Sequence, residues 1–277
     1  MTPALVRTHP ATSRHPRTPA PPAPREAPGA RTRDWAEIQE RMLVPLYEAV
    51  YERLGIGPGS RLLGLRCGTG LALLLAARRG ASVTGLDTDS RRLALARERL
   101  AGEPRTGPGQ QVYDVFLPGG SLPAVPQRPF TAVTSFERSR ASALAEAAVL
   151  AEAGSPVVLA GWGPSERCAT ASVLRLGSRL ADRAGGWQPA GRDDLEELAR
   201  AAGLRPAGSG RVACPFGYAD VDSAVRGLLS TGYFGAAIRA LDEAQVRKEL
   251  AEALHPYRRP DGTVWMPNVF RYLIATA

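Results

Sequence analysis

Two short stretches carry residue types that could do chemistry. Arg61-Leu-Leu-Gly-Leu-Arg-Cys-Gly-Thr-Gly70 joins an apolar run to a glycine-rich turn, and Asp87 closes the run Ala81-Ser-Val-Thr-Gly-Leu-Asp87. Glycine lets a backbone approach a ligand, and a carboxylate at a strand end can hold ribose hydroxyls. The pair therefore suits a nucleoside-bearing cofactor. The plainer readings are a tight strand-to-helix turn for Gly68 and Gly70 and a helix-capping acid for Asp87. A dinucleotide site needs a small residue three positions after Gly70, where bulky Leu73 stands.

These residues need elements to hold them. Apolar runs and helical periodicity alternate along the chain. Strand Arg61–Leu65 precedes helix Thr69–Arg79, and strand Ser82–Leu86 precedes helix Ser90–Leu100. Short strands follow at Gln111–Val115 and Ala132–Ser135, then helix Ala141–Glu152, strand Pro156–Ala160 and helix Asp193–Ala202. This rhythm predicts an α/β fold with a doubly wound, mostly parallel seven-stranded sheet, Rossmann-like. N-terminal helices start at Asp34, read as an N-cap, with Pro45 as a kink or divide. The last part departs from the alternation. Strand Arg211–Cys214 leads into helices Asp220–Leu229, Tyr233–Leu241 and Glu243–Leu254, a late insertion over about 217–257. Val264–Met266 and Val269–Ala275 read as one final strand interrupted by Pro267.

Composition narrows the class. The chain has 277 residues, 44% of them apolar, enough for one full α/β domain. No apolar run reaches membrane-spanning length, and the N-terminus lacks the apolar core of a secretory signal. Cys67, Cys168 and Cys214 form no Cys-x-x-Cys, which suits reduced thiols in a cytoplasm. Residues 1–33 hold eight prolines, six arginines and one acid, so most of the net charge of +8 lies there. The segment reads as a disordered tail ahead of a domain over 34–277. With little charge excess left in the domain, nucleic acid is not an expected partner. A membrane partner and a metal site are not expected either.

The order of elements resembles the class I S-adenosylmethionine-dependent methyltransferases of the small-molecule type. In that family the first strand and turn usually read apolar-apolar-Asp-apolar-Gly-Cys-Gly-x-Gly. Here Cys67, Gly68 and Gly70 match, Gly64 replaces the acid, and Arg66 replaces the first glycine. Asp87 matches the acid after the second strand, and Asp114 the acid beside the adenine. Phe130-Thr-Ala-Val-Thr-Ser135 resembles the fourth strand, with Thr131 where an Asp is common. Val157-Val-Leu-Ala-Gly-Trp162 resembles the fifth, and Asp261-Gly-Thr-Val-Trp-Met-Pro267 the turn into the last.

The resemblance implies methyl transfer from S-adenosylmethionine to a small molecule such as a secondary metabolite. The alternative is a catalytically inactive protein of this fold with a cofactor-sensing, scaffolding or regulatory role, suggested by Gly64, Arg66 and Thr131. Cofactor contacts are expected from Gly64, Leu65, Arg66, Gly68, Gly70, Asp87, Thr88, Asp114, Val115 and Ser135. Trp35, Tyr47, Phe136, Trp162 and Tyr233 are the aromatic candidates for a substrate pocket, against an ordinary core role. Glu137, Arg138 and Arg167 are polar candidates near strand exits. His255 is a helix-end cap or a base. Arg66 has three readings: it blocks the methionine space, points outward, or pairs with the cofactor carboxylate.

Overall fold

A computed structural model describes residues 29–102, 111–114, 129–181 and 187–276. The chain enters through α1 (Ala30–Asp34), a π-helical turn at Trp35–Gln39 and a 3-10 turn at Glu40–Leu43, and then α2 (Val44–Leu54). Pro45 lies in the first turn of α2, where a missing N–H costs nothing. Helical structure thus begins before Asp34 and takes in 30–33, placed with the tail from sequence. Asp34 is no cap. Its carboxylate accepts from Arg226 Nε at 3.1 Å, and Arg31 donates to Glu243 at 2.9 Å. The rest of the tail, residues 1–28, lies outside the described residues.

The α/β alternation follows: β1 (Arg61–Leu65), α3 (Leu71–Arg78), β2 (Ser82–Asp87), α4 (Ser90–Ala101), β3 (Gln111–Asp114), β4 (Ala132–Ser135), α5 (Ala141–Val149) and β5 (Pro156–Trp162). Next come α6 (Thr170–Leu180), α7 (Asp194–Ala201), β6 (Arg205–Ala213) and β7 (Phe216–Tyr218). The chain ends with α8 (Val221–Ser230), α9 (Gly235–Ala240), α10 (Glu243–Ala253), β8 (Val264–Met266) and β9 (Val269–Thr276). The main sheet has seven strands in the order β3-β2-β1-β4-β5-β9-β6. Strands β1 to β5 are parallel, and β9 runs antiparallel between β5 and β6.

Both sheet faces are covered, as a parallel sheet requires. One face packs Leu63, Val133, Val157 and Leu159 under α5 and α7. The other packs Leu62, Val83, Val158 and Phe270 under α2, α3, α6 and the late helices. Sheet order reverses between β1 and β4, so the carboxyl ends of these strands open a crevice where α/β folds bind ligands.

Several elements differ from the sequence reading. Helix α6 and strand β7 are additional, β6 begins at Arg205 rather than Arg211, and β8 and β9 are separate strands. Strand β8 pairs with β7 in a two-stranded sheet, while β9 joins the main one. The chain turns between them at Pro267 and Asn268. Asn268 is buried, accepts from Thr170 N at 3.1 Å and donates to Met266 O at 3.0 Å. No helix among the described residues is long and apolar enough to cross a membrane. The three cysteines are free and buried, and burial pushes the Cys214 thiol up to about 12.

Candidate functional site

The glycine turn follows β1 at the crevice. Gly68 and Gly70 have φ of 59° and 81°, and Arg66 is the non-glycine residue with positive φ among the described residues, at 48°. The left-handed region penalises side chains with a Cβ, which is why glycine is usual there. Asp87 ends β2, is 3% exposed, and locks the turn. Its Oδ2 accepts from Gly68 N at 2.9 Å and its Oδ1 from Asp89 N at 2.9 Å. Each carboxylate oxygen keeps a lone pair beyond these bonds. Asp87 stands in register with Asp114 on β3. The Asp114 side chain and Val115 lie outside the described residues.

Helix α3 closes on the sheet here. Gly64 and Gly85 are neighbours in register on β1 and β2. A Cβ on Gly64 would stand 2.8 Å from Leu73 Cδ2, and one on Gly85 would stand 2.8 Å from Cys67 Sγ. Leu73 therefore fits because the strands beneath it are glycine. Gly64 faces Leu73 and a small cavity of about 20 Å³, and Leu65 turns its side chain into the core on the other sheet face. Thr88 is exposed beyond Asp87.

Charged side chains surround the turn. Glu137, after β4, accepts from Arg92 Nη1 on both oxygens, at 2.7 and 3.0 Å, and lies 3.6 Å from Arg66 Nη2. Enclosure pushes the Glu137 carboxyl above the usual carboxylate range, and Arg92 and then Arg66 draw it back only in part. Buried Glu40 accepts from Thr69 Oγ1 and from Arg99, which also donates to Ala36 O at 2.7 Å. A Cβ at Gly68 would stand 3.3 Å from Glu40 Oε1, 3.5 Å from Glu137 Oε1 and 3.8 Å from Trp35 Nε1. A ligand approaching that face of Gly68 meets these groups first.

Beside the turn, at the carboxyl ends of β4 and β5, lies a cleft of about 510 Å³. Trp35, Phe136, Trp162 and Tyr233 line it, with Arg66 and Ser135 from the expected cofactor set. Ser135 Oγ donates to Glu137 O at 2.8 Å and shares a hydrogen bond with Ser139 Oγ at 2.7 Å. Tyr47 lies outside this cleft. It is buried against Phe136, ring centroids 4.6 Å apart, and lines the small cavity. Arg138 lines the cleft, whereas Arg167 and His255 are exposed and do not. Trp187, Phe216, Phe270, Arg92 and Glu40 were not singled out from sequence. Arg92 had a legible signal, since it lies one turn into the helix that starts beyond Asp87.

Solved structures share this doubly wound fold. A proposed methyltransferase of Bacillus halodurans C-125 aligns with 83% of this chain and 97% of its own, at 15% identity and a TM-score of 0.52. The cyclopropane synthase MmaA2 of Mycobacterium tuberculosis aligns over 83% of each chain, at 16% identity and a TM-score of 0.50. YjhP of E. coli aligns with 88% of this chain and 99% of its own, at 18% identity and a TM-score of 0.50. No family profile matches the chain, and no curated protein matches it in sequence.

Proposed function

We propose that the chain binds S-adenosylmethionine at the glycine turn and methylates a small molecule held in the adjoining cleft. The observation that carries this reading is Asp87. A buried carboxylate at the end of β2 ties down the turn and keeps lone pairs for ribose hydroxyls. Gly68 and Gly70 hold the turn in shape, and Arg66 pairs with the amino-acid carboxylate. Held by Asp87, Gly68, Gly70 and Arg66, the cofactor would supply a sulfonium methyl to an acceptor lone pair, the C–S electron pair staying on sulfur and the acceptor's proton going to bulk water. The chain's own part is to align the acceptor, exclude water and cover the site. Helices α8, α9 and α10, with Tyr233 between the first two, supply the cover.

A second reading, a cofactor-sensing or regulatory protein without turnover, draws on Glu40, Glu137 and Trp35 standing against Gly68. A thermal-shift comparison tests cofactor choice. S-adenosylmethionine at about 100 times its Kd should stabilise the protein by about 2.7 kcal/mol. NAD at the same concentration should leave the melting temperature unchanged. Equal shifts from both, or none from either, would contradict the proposal.

A further inference from the structure

We infer that the cleft of about 510 Å³ takes a planar aromatic acid, its ring between the aromatic walls and its anionic group toward Arg138. The inference rests on the reading of this cleft as the acceptor site.

The walls suit a flat ring. Trp162 packs against Trp187, Phe216 and Phe270 with centroids 5.9, 5.6 and 4.6 Å apart, and Phe136 and Tyr233 line the same space. Aromatic walls alone would also suit an ammonium ligand. The charges decide otherwise. Four arginines line the cleft, Arg66, Arg92, Arg138 and Arg271, against two acids, Glu137 and Asp194. Cations already lie over two of the tryptophans: Arg92 over Trp35 at 5.1 Å and Arg175 over Trp187 at 5.8 Å.

The four arginines differ in their partners. Arg66 and Arg92 share Glu137, and Arg271 donates to both oxygens of Glu196 at 2.6 Å. Arg138 is exposed and makes no ion pair among the described residues. The indole N–H groups of Trp35 and Trp187 are buried without an acceptor among the described residues, and Trp187 is 3% exposed. A buried donor without a partner costs about 1–3 kcal/mol. The cleft thus offers an unpaired positive charge at Arg138, and the complementary ligand brings an anionic group.

Calorimetry on the full chain with three probes of one ring tests this: 2-naphthoate, 2-naphthamide and 2-naphthylmethylammonium. The expected order is naphthoate at least about tenfold tighter than the amide, with no measurable binding of the ammonium. Arg138→Gln should bring naphthoate down to the affinity of the amide and leave the amide and the melting temperature unchanged. Naphthoate should bind equally well to protein saturated with S-adenosylhomocysteine. Charge-blind binding, a preference for the ammonium, no binding of any probe, an unaltered Arg138→Gln, or displacement by S-adenosylhomocysteine would each overturn the inference. A separate titration with S-adenosylhomocysteine alone reports on the cofactor reading, so the two can fail independently.

Discussion

Arg66 and Glu137 meet across the point where the sheet reverses its order, with Nη2 and Oε2 3.6 Å apart. One follows β1 and the other follows β4, and these strands pair up to Leu65 and Ser135. The contact joins the glycine turn to the wall of the cleft, so changes at either residue bear on both.

Arg66 keeps a left-handed backbone, φ 48°, at the cost of a Cβ in that region. Arg66→Gly should stabilise the fold by about 1 kcal/mol, after the greater freedom of glycine in the unfolded chain is deducted. That corresponds to a rise in Tm of about 2–4 °C. Arg66→Ala keeps the strained φ and loses only a part-exposed ion pair, and should not rise. Thermal melts of the two variants decide the point. Equal behaviour would mean that the backbone, not the side chain, holds the strain.

Glu137 makes stability depend on pH. Its carboxyl is held above the ordinary value of 4.5, chiefly by enclosure. A raised carboxyl binds its proton more tightly in the folded state. The stability this gives is complete below the unfolded value and is lost as pH rises through the folded one. Glu137→Gln has no such proton. The Tm of the wild type relative to this variant should therefore fall as pH rises from the unfolded carboxylate value, about 4.3, upward through the folded one. A difference that rises over this range would reverse the sign and show that Arg92 dominates over enclosure.

Leu73 should be coupled to the glycine beneath it. Gly85→Ala places a methyl against Leu73 and Cys67 and should cost about 1–3 kcal/mol. Leu73→Ala alone should cost about 2–4 kcal/mol through its cavity. In the double variant the added methyl occupies part of that cavity, so the loss should fall short of the sum by about 1 kcal/mol. Strict additivity in denaturant melts would refute the packing explanation for Leu73.

Much of this arrangement was legible in the sequence, because the parallel strands are short apolar runs bounded by glycine or polar turns. Strand β1 and the glycine turn were read from one stretch, and Asp87 from its place at the end of the next strand. Four of the five aromatic candidates line the cleft, while Tyr47 packs beneath Phe136. Helix α6 was missed for a physical reason. Gly177 sits inside it, which local propensity disfavours, yet a Cβ there would stand 3.0 Å from Tyr233 O and 3.1 Å from the Phe234 ring. Close approach of the α8–α9 connection selects the glycine, and that partner is distant in sequence. Strand β6 was read too short for a similar reason: Gly210 lies under the Tyr272 ring of the neighbouring strand. Glu40 and Arg99 gave no local signal, since their meeting over Thr69 depends on the N-terminal helices folding back across the turn.

The cofactor site is tested most directly by calorimetric titration of S-adenosylhomocysteine into the full chain and into Asp87→Ala. The account predicts saturable one-to-one binding to the wild type and a roughly 30-fold weakening in the variant, from a lost charge-assisted hydrogen bond of about 2 kcal/mol. Circular dichroism of the variant checks that the turn's loss of its Asp87 anchor leaves the fold intact. No binding to the wild type, or equal binding to both proteins, would contradict the account.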